Sequence, residues 1–192
     1  MLSGRISKQN IHYKMSKHEK LVALGGADYV KVLDELEWFK YPQNNREEIT
    51  EKILKSEEHV HLDLHHFSFF SDDFYQVKDY KTLLEDVQTV TGIAFSSSKI
   101  ELDESNSTIR VETVVEGETI EIEFDTDDVI IVPQVEAALN NLFERLNLES
   151  RILWLPLESD IFFYSFIPLP LYKEAVKVGL IPKDTTYFNS LA

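Results

Sequence analysis

Between residues 109 and 124 the chain alternates. Ile109, Val111, Thr113 and Val115 take every second place against Arg110, Glu112 and Val114, and Ile120, Ile122 and Phe124 do the same against Glu121 and Glu123. Glu116-Gly117 separates the two runs, so period two with a turn residue between predicts an antiparallel hairpin. A slip of one residue would carry the carboxylates into the core, which fixes the register and leaves the glutamates facing water. The pattern then changes period. Val135, Ala138, Leu139, Leu142, Phe143 and Leu146 recur at helical spacing and predict one apolar stripe lying across a sheet. Pro133 suits the first helical position, where its missing N–H is tolerated, Arg145 suits the last turn and Asn147 the stop.

Similar arguments place the remaining elements. Leu21 to Leu24 is read as a helical turn broken by Gly25-Gly26, and Tyr29, Val32, Leu33 and Leu36 mark a helix before Tyr41-Pro42. Asn45 is expected to cap the next helix in a capping box with Glu48, its inner face formed by Ile49, Ile53 and Leu54. From 59 to 70, Val60, Leu62 and Leu64 alternate with His59, His61, Asp63 and His65, which predicts a strand. Asp79 is expected to cap a helix carrying Leu83, Leu84, Val87 and Val90 and closed by Gly92. Short strands are expected over 99–102, 152–157 and 161–167; the last is apolar at both parities, so it belongs in a sheet interior covered on both sides. Leu171, Tyr172, Ala175, Val176 and Val178 predict a closing helix stopped by Gly179 and Pro182.

With no repeat, low-complexity tract or linker, these elements predict a single α+β domain over residues 15–192, a mostly antiparallel sheet with helices packed against it. Residues 1–14 precede a second methionine, Met15, and are expected to lie outside the fold as a disordered leader or a misplaced start.

Charge changes this picture. The formal net charge is −15, and between Glu101 and Asp128 eleven acidic residues stand against Arg110 alone. Such a field repels nucleic acid and membrane surfaces and steers basic proteins inward. Basic residues interleaved with base-stacking aromatics are also absent, which disfavours nucleic-acid binding. The chain has no cysteine, which tilts the expectation toward a reducing, cytoplasmic compartment, and no apolar run long enough for a membrane span.

Candidate chemistry is sparse. His59, His61, Asp63, His65 and His66 are the densest group of metal-ligating side chains, and alternate strand positions about 7 Å apart can share a zinc ion. The group resembles the His-x-His-x-Asp-His motif of metallo-β-lactamase-like hydrolases, with Leu64 inserted between Asp63 and His65. The resemblance implies His61, Asp63 and His65 as the first ligands to test, with Asp63 orienting a metal-bound water. Asp125, Asp127 and Asp128 offer oxygen ligands without the glycine and terminal glutamate of an EF-hand. No Gly-x-Ser-x-Gly nucleophile elbow is present.

The preferred expectation is a non-enzymatic acidic protein-binding domain without a cofactor, a bacterial immunity-type inhibitor of a basic toxin being its concrete form. Glu112, Glu116, Glu118, Glu121 and Glu123 would meet the partner. The alternative is a metal-dependent hydrolase built on residues 59–66. An inhibitor that mimics DNA ranks below both, because one hairpin supplies too few carboxylates in line.

Overall fold

The strand with apolar side chains at both parities forms the centre of the molecule. In the computed structural model, which describes residues 15–56, 58–70, 77–103, 108–115, 117–125, 132–157 and 161–191, that strand is β6 (Ile161–Pro168). It lies between β1 (Phe67–Phe70) and β5 (Ser150–Leu155), both antiparallel to it, with Phe67 opposite Tyr164 and Ile152 opposite Phe166. The remaining strands, β2 (Ser96–Asp103), β3 (Thr108–Val115) and β4 (Glu118–Asp125), form a second three-stranded antiparallel sheet in sequential order. The antiparallel strands expected from the sequence are therefore divided between two sheets of one α+β domain.

Two cores follow from the two faces of the central sheet. Ile152, Tyr164 and Phe166 point to one, shared with Ile109, Val111, Val115 and Ile120 of the outer sheet. Filling it are α4 (Val77–Thr91) and α5 (Val132–Arg145), through Leu83, Leu84 and Val87 and through Val135, Leu139, Leu142 and Phe143. The helical stripe read from the sequence is the layer between the sheets. On the other face, Leu153, Leu155 and Ile167 meet α1 (Lys17–Leu24), α2 (Gly26–Glu35), α3 (Arg46–Lys55) and α6 (Leu169–Val178), with Leu33, Ile53 and Tyr172 fully buried. A short α7 (Thr185–Ser190), capped by Asp184 accepting from the Tyr187 N–H at 2.8 Å, follows α6.

The first two helices are fastened to the end of α6. Lys17 Nζ donates to the Lys177 carbonyl at 2.8 Å, His18 Nδ1 to that of Gly179 at 2.9 Å, and the Tyr29 hydroxyl to that of Leu180. Gly179 has φ +98°, and a Cβ there would stand 2.7 Å from the Lys17 carbonyl carbon, so only glycine admits both the turn and the contact. Among the described residues no helix is long and apolar enough to cross a membrane.

Several local expectations need correction. Residues 59–64 are not a strand: Val60–Leu64 is a 3-10 turn entered at His59 with φ +52°, and extended pairing starts at Phe67. Val60, His61 and Leu64 are its buried residues, and Val60 and Leu64, four apart, satisfy a helical turn as readily as alternation. Leu54 is 59% exposed, because α3 turns only Ile49 and Ile53 inward. Asn45 caps α3 as expected, but the Glu48 carboxylate goes forward to Lys52 at 2.7 Å, and a reciprocal capping box forms at Ser16 and Glu19 instead. α4 begins at Val77, which places Asp79 inside its first turn rather than before it.

Candidate functional site

The outer face of the β2–β3–β4 sheet is a small lattice of charge. Because Ile109, Val111 and Ile120 are buried, the alternate positions of the same strands are exposed. The register sets Lys99, Glu112 and Glu121 in one row and Glu101, Arg110 and Glu123 in the next, with Asp103 beyond. Arg110 reaches Glu121 and Glu123, each at 3.1 Å, and Lys99 reaches Glu101 at 2.6 Å. Five carboxylates thus surround two cations, and the face is net negative. Glu112 stands directly opposite Glu121, an arrangement that disfavours strand pairing.

Of the five glutamates expected to meet a partner, Glu112, Glu121 and Glu123 share this exposed face. Glu118 lies in β4 with its backbone opposite Val115; its side chain, and Glu116 altogether, fall outside the described residues. The field is also less uniform than the sequence implied, since Lys99 enters the array from β2 beside Arg110.

The histidines serve the fold in separate places. His61, 2% exposed, donates from Nε2 to the Pro156 carbonyl at 2.9 Å and packs edge-on against His18. His65 donates from Nδ1 to the Leu62 carbonyl at 2.5 Å. His66 accepts the Phe166 N–H at Nδ1 (2.9 Å) and donates from Nε2 to the side chain of the buried Asn44 (2.8 Å), which in turn donates to the Trp38 carbonyl. Burial pushes His61 and His66 down to about 4, and for His66 a proton on Nδ1 would oppose the Phe166 N–H. Asp63 and His65 do line one polar cavity of about 640 Å³ together with His66, and burial raises the Asp63 carboxyl. His61 lies outside that cavity, and among the described residues no three His, Asp or Glu side chains converge to hold a metal ion. The aspartates at 127 and 128 lie outside the described residues, as does the side chain of Asp125.

No family model, curated protein or solved structure matches the chain. Function therefore has to be argued from the site itself.

One group escaped the reading of the sequence. Glu136 on α5 accepts a hydrogen bond from the Tyr187 hydroxyl of α7 at 2.7 Å and another from Tyr164 of β6. The same Tyr187 oxygen accepts the backbone N–H of Trp154 at 2.9 Å, while the Tyr172 hydroxyl donates to the Trp154 carbonyl at 2.7 Å. Burial raises Glu136 to about 7, so it carries a proton through much of the neutral range. A signal was present: Glu136 is three residues before Leu139 and seven before Phe143, on the edge of the apolar stripe.

Proposed function

We propose that the outer face of β2–β3–β4 docks on a basic protein, and that the chain is a non-enzymatic binding domain. Its most concrete form is an immunity-type inhibitor that covers a cationic toxin in the cytoplasm. The observation that carries this reading is the facing pair Glu112 and Glu121, which sets like charges side by side on an exposed sheet where they weaken strand pairing. A cationic surface laid over the lattice would relieve that repulsion and supply the countercharge that Lys99 and Arg110 provide only in part. Long-range attraction would act first on the rate of encounter.

The test is kinetic. A partner captured on the immobilised chain from cells of its native host is purified, and its association rate is measured against wild type and against Glu112→Lys/Glu121→Lys/Glu123→Lys. At low salt the reversal is expected to slow association by about tenfold or more and to flatten its salt dependence. An unchanged rate removes this surface from consideration.

A further inference from the structure

Four lysines border a single groove in a chain whose net charge is −15. No residue of the outer sheet lines this cavity of about 910 Å³. One wall is a helical face: Pro170, Lys173, Glu174 and Lys177 follow one another at i, i+3, i+4 and i+7 along α6. The first turn of α1, with Lys17, forms the facing wall, and Pro182, Lys183 and Phe188 close the end above the buried Ile181. The groove keeps its shape because the Lys17 ammonium is held on the Lys177 carbonyl and Gly179 lets α1 approach this closely.

Its charge is of the opposite sign to the molecule's. Lys17 and Lys173 donate to carbonyl oxygens, at 2.8 and 2.7 Å, and a carbonyl does not cancel an ammonium charge. Lys183 lies over the Phe188 ring at 4.9 Å, and Lys177 pairs with Glu174 at 3.0 Å. With Glu19 included, four ammonium groups meet two carboxylates around an apolar lining.

We propose that this groove binds an acidic segment of a partner protein, its apolar side chains seated against Pro170, Pro182 and Phe188 and its carboxylates on Lys17, Lys177 and Lys183. Charge complementarity selects the occupant. Surface charges act within a screening length of about 8 Å at physiological salt, so the local excess of cations decides what enters although the whole chain is acidic. An extended nucleic acid or an anionic membrane would have to approach the rest of that negative surface as well. A second copy of this chain would present its carboxylates as rows across a three-stranded sheet, whereas the groove lies between α1 and α6 and suits a single segment. The segment would lie in the groove in the way an amphipathic helix lays its apolar face between two helices.

The probe is a fluorescein-labelled peptide of about twelve residues, leucines at i and i+4 with glutamates elsewhere, titrated by fluorescence anisotropy. Saturable binding to the wild-type chain is expected, weakened about tenfold by Lys177→Glu/Lys183→Glu and less by Lys177→Gln/Lys183→Gln, which matches glutamate in size and removes the positive charge without reversing it. The equivalent charge change on the outer sheet, Lys99→Glu/Arg110→Glu, is expected to leave binding within about twofold. Absence of binding, or equal weakening by the two reversals, overturns the proposal. So does equal affinity for a leucine-free glutamate peptide, or capture of the chain by phosphatidylserine vesicles with no binding of the peptide.

Discussion

Lys99 and Glu121 stand on the outer sheet with side chains 62% and 58% exposed, whereas His66 and Glu136, beside the central sheet, are half-buried and hydrogen-bonded to protein. The contrast follows from what covers each sheet. Among the described residues, helices cover the outer sheet on one face only, so its polar positions reach water and their ion pairs are screened. The central sheet has helices on both faces, and a polar group admitted there loses its hydration. It must find a partner in the protein, as His66 does in Asn44 and the Phe166 N–H, and its protonation becomes coupled to folding. Charge on the outer sheet thereby stays hydrated, and charge beside the central sheet is committed to stability.

The largest effect is expected at the layer the two sheets share. Phe143 is fully buried on α5, ring to ring with Phe166 at 5.4 Å and in the same core as the outer-sheet residues. Phe143→Ala should cost about 3–5 kcal/mol in urea unfolding, with both sheets lost in one transition. Separate transitions would mean that the two sheets are independently stable units.

Acid should act through the enclosed histidines. His61 and His66 have native values of about 4 against an ordinary 6.5, so between these limits the unfolded chain binds more protons and stability falls as pH falls. The lowered His18 acts with the same sign. Each large shift corresponds to at most roughly 3 kcal/mol, and His66→Gln should remove part of the acid sensitivity seen in denaturation measured between pH 7 and 4.

Glu136 should act in the opposite direction. Its native value of about 7 lies above the ordinary 4.5, so the native state binds more protons in that window and stability falls as pH rises through it. Raised Asp63 and Asp86 carry the same sign. Glu136→Gln should gain on the order of 1–2 kcal/mol relative to wild type at pH 8 and show a steeper rise in stability from pH 4.5 to 6.5, where histidine and glutamate oppose each other in the native protein. A profile parallel to wild type would show that burial does not hold the proton on Glu136. The smallest effect is expected outside: Arg110→Ala removes the exposed ion pairs to Glu121 and Glu123 and should leave Tm nearly unchanged.

The same contrast decided what could be read from the residues alone. Period two survives wherever one face of a strand is wet, so β3 and β4 were legible to within a residue or two, and β6 declared itself by being apolar at both parities. Residues 59–64 misled because alternation and a short helical turn share the same few apolar positions there. The six residues of α7 are too few for a period to show. Glutamates 112, 121 and 123 could be assigned a common surface because their neighbours in sequence fix their side. The work of His66 depends on Phe166, a hundred residues away, and on Asn44, and no local pattern encodes it.

The fastening of α1 to the end of α6 has a consequence for synthesis. Lys17 and His18 wait for carbonyl groups about 160 residues downstream, so the opening helices leave the ribosome long before their seat exists. Nascent chains halted before Leu169 should accordingly expose the apolar sides of α1 to α3, bind a hydrophobic dye and be cut readily by protease, until α6 arrives and α1 locks onto its end.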